Sequence, residues 1–155
     1  MTCIISIANE KGGVAKTTTA LSLGGALVES GQRVLMVDLD PQSNLSLSLG
    51  IEPESKNYSF INLVMENMSF ADVICSTEIE NLSILPANKE IGFSERVLPT
   101  KSNYASLLKN LLGNSGGNYD FVVLDCPPFL GALTLNALTA SDLLIIPTQA
   151  EYYSI

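Results

Sequence analysis

The residues best suited to chemistry lie in one short stretch, 9–19, directly after an apolar run at 3–8. A strand that ends in small flexible residues and is followed by Lys-Thr and a helix points successive backbone N–H groups at a polyphosphate. The stretch therefore predicts a phosphate-binding loop. In it the Lys16 ammonium reaches the outer phosphates and the Thr17 hydroxyl is placed to bind Mg²⁺. We call this segment the phosphate loop, and its residues are Lys11, Gly12, Gly13, Val14, Ala15, Lys16, Thr17 and Thr18.

The phosphate loop departs from the strict pattern G-x-x-x-x-G-K-[ST], because Glu10 and Ala15 stand where the pattern has glycine. The assignment therefore needs support from the rest of the chain. Lys11 is a second lysine, which would crowd Lys16 unless anions lie nearby. Either Lys11 is solvated or it reaches phosphates bound by another subunit, and the residues alone leave both readings open.

Carboxylates end two further apolar stretches that are typical of buried strands. The stretch 33–38 runs into Asp38-Leu39-Asp40, and the stretch 120–126 carries Asp125. Right-handed crossovers make such strands parallel, so their polar tips share the sheet edge at which α/β proteins bind ligands.

Each of these carboxylates has a chemical and a structural interpretation. Asp125 is placed to support Mg²⁺, an ion that keeps several waters and takes few protein ligands. Of Asp38 and Asp40, one can face the metal while the other orients or deprotonates an attacking water. The structural alternative makes Asp125 and Asp40 turn formers, since Asp40-Pro41 is a common turn opener.

The order of elements predicts an α/β fold, three-layered and Rossmann-like with a mostly parallel central sheet, in a single nucleotide-binding domain, 1–155. Gly24 and Gly25 are expected to let the first helix pack closely on the sheet, and Gly31 to end it. The last strand is apolar and needs cover on both faces, so missing sequence or a partner is expected beyond it. Strands are predicted at 3–8, 33–38, 82–85, 120–126 and 143–147, helices at 17–30, 57–67, 69–75, 104–112 and 131–140, an irregular connection through 92–102, and a loop at 113–117.

Composition excludes several classes of function. The net charge of −8, with only eight Lys and Arg, argues against this chain alone holding nucleic acid. Three widely spaced cysteines and no histidine supply no metal set, which favours reduced thiols in the cytoplasm. No run approaches the roughly 20 apolar residues of a membrane span, so no membrane partner is expected.

Three parts of the chain, taken together, resemble the ParA/Soj family of deviant Walker A (P-loop) ATPases, which partition plasmids and chromosomes. The first part is the phosphate loop and the second is Asp38-Leu39-Asp40-Pro41-Gln42. The third is Asp125-Cys126-Pro127-Pro128, which is followed by the segments 135–138 and 147–149. The resemblance covers the whole chain.

The resemblance implies an ATPase that uses ATP and Mg²⁺ and switches by ATP-dependent homodimerisation. Lys16 would bind phosphates and Thr17 would coordinate Mg²⁺ in their own subunit, whereas Lys11 would cross to the nucleotide of the other subunit. Asp40 would position the hydrolytic water, and Asp38 and Asp125 would support the metal.

The resemblance also implies a ParB-type centromere-binding adaptor as partner. Family members continue past the equivalent of Ile155 with adenine contacts, dimer surface and basic residues for nonspecific DNA, so the fold is expected to be incomplete at the C-terminus here. With that part, the protein would associate with the nucleoid. The alternative function is a truncated, non-hydrolysing nucleotide-binding regulator that pairs with full-length subunits. Ala15 replaces the family's usual glycine, and a left-handed backbone there would cost about 1 kcal/mol.

Overall fold

The computed structural model describes residues 2–52, 58–66, 68–115 and 118–150. They form a six-stranded sheet with helices on both faces. The strands are β1 (Cys3–Ile7), β2 (Val34–Asp38), β3 (Cys75–Ser76), β4 (Leu82–Leu85), β5 (Phe121–Asp125) and β6 (Leu143–Ile145). The helices are α1 (Lys16–Glu29), α2 (Asn44–Ser48), α3 (Phe60–Met65), α4 (Phe70–Val73), α5 (Ser94–Val97), α6 (Leu107–Ser115) and α7 (Ala132–Ala140). Short 3₁₀ turns lie at Lys89–Phe93, Leu98–Thr100 and Tyr104–Ser106.

The sheet has the strand order β3-β4-β2-β5-β1-β6. Every neighbouring pair is parallel except β3 with β4, which is antiparallel. All five residues of the central strand β2 are buried, as expected of a strand covered on both faces. The predicted α/β fold with a mostly parallel sheet is confirmed.

Alternate residues of β2 enter two separate cores. Leu35 and Val37 belong to the core on one face, which also contains residues of α3, α6 and α7. Val34 and Met36 belong to the core on the other face, which contains residues of α1 and α2. Because strand side chains alternate between faces, this one apolar strand contributes side chains to both cores. The protein therefore has the predicted three layers.

The glycines of α1 have different roles. Gly31 has φ +81° and its N–H donates to the Val28 carbonyl at 2.8 Å, so it ends the helix as predicted. A Cβ on Gly24 would lie 2.6 Å from the sulfur of Met36, which confirms close packing on the sheet. The same interpretation of Gly25 is wrong, since, apart from its chain neighbours and the backbone of its own helix, no atom of the described residues lies within 4 Å of its Cβ position.

Two predicted boundaries are also wrong. The helix α6 continues through Gly113 to Ser115 instead of stopping at a loop, and residues 116 and 117 lie outside the described residues. A glycine inside a helix costs about 1 kcal/mol, and the buried Leu108 and Leu112 on the same helix offset that cost. The segment predicted as one helix, 69–75, forms α4 and then the short strand β3.

The middle of the chain is more regular than its sequence predicts. The expected irregular connection through 92–102 contains α5, the end of one 3₁₀ turn and the whole of another, and the sequence does not predict α2. Helix α3 is shorter than predicted and starts at a capping box, in which the Ser59 N–H donates to Asn62 Oδ1 at 2.8 Å. Asn57 and Asn67, the predicted ends of that helix, lie outside the described residues. No helix within the described ranges is both long and apolar enough to cross a membrane.

Candidate functional site

The polar tips of three neighbouring strands meet at one edge of the sheet. Asp38 and Asp125 are register neighbours at the carboxyl ends of β2 and β5. The backbone continues this pairing beyond the strands, since the Leu39 N–H donates to the Asp125 carbonyl at 3.0 Å and the Cys126 N–H donates to the Ile7 carbonyl at 3.1 Å. The predicted juxtaposition of the phosphate loop with both carboxylate tips is confirmed.

The phosphate loop borders a cleft of about 590 Å³, and Asp40 also lines this cleft. Two loop residues have left-handed backbones, Gly13 with φ +75° and Ala15 with φ +65°. Ala15 thus has the left-handed backbone whose cost the sequence analysis considered, and its Cβ costs about 1 kcal/mol there. A larger cleft of about 840 Å³ lies around Arg33 and Asp120, near the amino ends of β1, β2 and β5, and it contains no part of the phosphate loop.

Lys16 is the cation of this cleft and is only 8% exposed. Its ammonium donates to the Lys11 carbonyl at 3.2 Å, so the loop closes around its own lysine. The loop begins α1, whose first-turn N–H groups and dipole favour an anion at this end. Lys16 and the helix start therefore form a site suited to phosphate.

Two residues that sequence reasoning did not assign fix the phosphate loop to the segment after β6. The Asn9 side chain accepts from the Lys11 N–H at 2.9 Å and donates to the Pro147 carbonyl at 2.8 Å. The Gln149 side chain donates to the Gly13 carbonyl at 3.1 Å. An asparagine that bonds a backbone N–H two residues later is a recognisable local turn signal, but its contact with Pro147 is visible only in the fold.

Thr17 and Asp125 form the next part of the site. The Thr17 hydroxyl donates to Asp125 Oδ2 at 2.7 Å. The other oxygen, Oδ1, is buried and has no hydrogen-bond partner among the described residues. Burial raises the pKa of Asp125 to about 7, and the charges of Asp38 and Asp40 add to the rise, whereas the Thr17 bond and Lys16 oppose it.

An orphaned carboxylate oxygen beside a threonine hydroxyl is a pair of hard oxygen ligands that fits Mg²⁺. Within the described residues, no group of three or more His, Cys, Asp and Glu side chains is arranged to hold a metal ion. An ion bound at Thr17 and Asp125 would therefore draw its other ligands from water or from phosphate.

Asp38 is fully buried and its carboxylate is already well bonded. Oδ2 accepts from the Ser46 N–H at 2.9 Å and from its hydroxyl at 2.7 Å, and Oδ1 accepts from the Asp40 N–H at 3.1 Å. Burial raises the pKa of Asp38 to about 6, and these bonds limit the rise. Asp38 thus holds the turn that carries Asp40, and support of a metal by Asp38 stays a prediction.

Asp40 combines both interpretations that its sequence allows. Its Oδ1 accepts from the Gln42 N–H at 2.9 Å, which makes it a turn former, and it also lines the cleft that the phosphate loop borders. Lys11 is half-buried within the loop, and a role for it in another subunit stays a prediction. Burial raises the pKa of the Cys126 thiol to about 12, so this cysteine is an inert packed group.

Comparisons with known proteins agree with the geometry of this site. Residues 2–155 match the family model AAA_31, described as an AAA domain. The chain is 44% identical over 153 residues to the sporulation initiation inhibitor protein Soj of Bacillus subtilis, covering 98% of this chain and 60% of Soj. It is 38% identical over 152 residues to the chromosome partitioning protein ParA of Myxococcus xanthus, covering 98% of this chain and 54% of that protein.

Solved structures give the same relationship. A cobyrinic acid a,c-diamide synthase from Mycobacterium smegmatis, with bound ADP and magnesium, superposes with a TM-score of 0.93 at 43% identity, over 97% of this chain and 61% of that one. A putative plasmid partition protein from Borrelia burgdorferi, bound to AMPPNP, superposes with a TM-score of 0.85 at 30% identity, over 99% of this chain and 65% of that one.

The chain spans 54–60% of the length of these two curated relatives, so its similarity concerns the part of them that it covers. Within that part, the family model, the sequence identity and the shared fold all agree. The chain belongs to the ParA/Soj family of P-loop ATPases.

Proposed function

We propose that this chain binds Mg-ATP and hydrolyses it to ADP and phosphate, as the nucleotide-binding part of a partitioning ATPase. The observation that carries the proposal is the Thr17–Asp125 hydrogen bond of 2.7 Å, with the orphaned Asp125 Oδ1 beside it. Lys16 and Thr17 are the first two residues of α1, and Asp125 is the last residue of β5. Lys16, Thr17 and Asp40 line one cleft, which supports binding of phosphate and a hard cation there.

Each side chain has a distinct task in this proposal. Lys16 and the N–H groups at the start of α1 bind the phosphates of ATP, and Thr17 and Asp125 hold Mg²⁺. The ion, when bound, neutralises charge on the phosphate oxygens. Asp40, which lines the same cleft, orients the attacking water, and Asp38 keeps Asp40 in place through the Asp40 N–H.

The proposal extends to the activity of the whole protein. We infer an ATP-dependent homodimer, in which Lys11 reaches the nucleotide of the partner subunit, and a ParB-type adaptor that acts on the dimer. The Myxococcus xanthus relative, named a chromosome partitioning protein, supports these inferences and a cytoplasmic, nucleoid-associated location. Nonspecific DNA would be held by a region of the relatives that this chain does not cover, which agrees with its net charge of −8.

Replacement of Asp40 separates binding from hydrolysis. We expect Asp40→Asn to retain Mg-ATP affinity, because the phosphate loop is unchanged, and to lose turnover by about 10²-fold or more, the usual contribution of a positioned acid–base group. The measurements are calorimetric ATP titration and phosphate release. Glu29→Gln, a change of an exposed carboxylate at the far end of α1, is the matched control.

Three results discriminate the candidates. Wild-type protein that does not bind Mg-ATP would contradict the proposal outright. Unchanged turnover in Asp40→Asn would remove Asp40 from the mechanism. Tight binding without turnover in the wild type would favour the non-hydrolysing regulator that pairs with other subunits.

A further inference from the structure

A remote carboxylate caps the helix that follows Asp125. Glu95, in α5, accepts from the Ala132 N–H at 2.6 Å through Oε2 and from the Leu133 N–H at 3.0 Å through Oε1. The N-cap residue of α7, Gly131, provides no side-chain hydrogen bond. Any Cβ at Gly131 would collide with the Glu95 carboxylate, so the glycine is what allows this approach. A charged acceptor on two N–H groups at a helix start is a strong interaction.

This cap also fixes the loop 126–131, which connects Asp125 to α7. The loop is closed by a second bond, in which the buried Thr134 hydroxyl donates to the Phe129 carbonyl at 2.7 Å. One end of the loop is therefore the proposed metal-binding carboxylate, and the other end is held by Glu95. Movement at the start of α7 would be transmitted to Asp125 through only a few residues.

The segment that leads to Glu95 contacts the other carboxylate loop. The Ala87 N–H donates to the Ser46 hydroxyl at 3.0 Å, and that hydroxyl donates to Asp38 at 2.7 Å. Further along, a Cβ at Gly92 would lie 3.8 Å from the Pro41 ring, so the backbone there packs beside Asp40's neighbour. We call residues 87–95 the brace.

The brace is itself a fixed element. Asn88, which is buried, accepts from the N–H groups of Glu90 and Ile91 at 3.1 Å each and so caps the 3₁₀ turn Lys89–Phe93. Ile91 and Ser94 are fully buried. A well-anchored turn can carry a displacement from one of its ends to the other.

We propose that the brace couples the loop of Asp40 to the loop of Asp125, and that Glu95 is the positioning residue at its α7 end. The coupling does not require a bound nucleotide. Its expected effect on magnesium binding rests on the proposed function. Loss of the Glu95 carboxylate then loosens the start of α7 and, through the brace, the turn at 38–42.

Amide exchange by NMR on the nucleotide-free chain tests the coupling. In Glu95→Ala we expect the amides of Ala132 and Leu133 to exchange about tenfold faster or more, since each loses a bond to a charged group. We expect the amides of Asp40 and Gln42 to exchange faster as well. Glu29→Ala, the same chemical change at an exposed site, should leave all four unchanged.

The coupling is overturned if only the α7 amides respond to Glu95→Ala, because Glu95 would then be a local cap. Glu95→Gln keeps one acceptor oxygen and gives the same test with a smaller perturbation if the alanine variant does not fold. A Glu95→Gln protein with unaltered Asp40 and Gln42 exchange but faster Ala132 exchange would likewise contradict the coupling.

ATP affinity measured with Mg²⁺ and with EDTA tests the positioning role. Residues that hold metal ligands in place typically affect metal affinity about 10–100-fold, so we expect Glu95→Ala to lose that much affinity with Mg²⁺ and less than about twofold with EDTA. Equal losses in both conditions, or none, would contradict positioning of Asp125. Failure of the wild type to bind ATP would refute the proposed function, and the exchange experiment would still decide the coupling.

Discussion

Replacement of Asp125 by asparagine should stabilise the nucleotide-free protein at neutral pH and remove its magnesium site. The Asp125 pKa is raised from 3.8 to about 7, chiefly by burial, so the folded state binds this proton more tightly than the unfolded chain does. The stability that this carboxyl contributes is fully present below the unfolded pKa and is lost as the pH rises through about 7. A difference of about 3 pH units corresponds to about 4 kcal/mol at alkaline pH. The amide of Asp125→Asn is neutral and keeps an acceptor for the Thr17 hydroxyl, so it avoids this cost.

Urea unfolding across a pH series measures this effect. At about pH 8 we expect Asp125→Asn to unfold with a free energy about 4 kcal/mol above the wild type, and near pH 4 we expect the difference to fall below about 1 kcal/mol. The control Glu29→Gln should follow the wild type at every pH, since that carboxylate is exposed. A variant that is less stable at pH 8, or a difference that does not shrink on acidification, would refute the reasoning. The same variant should lose the magnesium dependence of ATP binding, so stability and function would change in opposite directions.

Two matched pairs of substitutions test the backbone and packing of α1 by thermal unfolding. Ala15→Gly should raise stability by about 0.5–1 kcal/mol, because it relieves the left-handed Cβ, whereas Ala26→Gly in the exposed helix interior should lower it by about 1 kcal/mol. Equal destabilisation by both changes would contradict the left-handed backbone at Ala15. Gly25→Ala should stabilise by up to about 1 kcal/mol through helix propensity. Gly24→Ala should destabilise by about 1 kcal/mol or more, since its Cβ would meet the sulfur of Met36, and stabilisation there would disprove the close packing.

The parts of the site that were predictable from sequence are those encoded locally. The phosphate loop, the strand tips at Asp38 and Asp125 and the helix end at Gly31 each depend on residues within a few positions of one another. Right-handed crossovers then place the tips at one edge without further information. The loop pattern also identified Ala15 as the position where a left-handed backbone would matter, although it did not predict that backbone.

The contacts that hold the site join residues far apart in the chain. Ser46, which bonds Asp38, accepts from the Ala87 N–H 41 positions further along, and Glu95 caps a helix that begins 37 positions later. No local pattern signals such pairs, because a serine or glutamate in a short helical turn looks the same with or without a distant partner. The strand β3 was missed for a related reason: two residues form it, and only pairing with β4 defines them as a strand.

Calorimetric titration of this chain with ATP, in Mg²⁺ and in EDTA, tests the central claim most directly. We predict Mg²⁺-dependent binding by the wild type, a loss of at least about tenfold in Lys16→Ala because a charge-assisted phosphate contact disappears, and no change in Lys109→Ala, a matched change on the exposed side of α6. Absence of ATP binding by the wild type, or equal affinity in the Lys16→Ala and Lys109→Ala proteins, would contradict the assignment of this cleft as a Mg-ATP site.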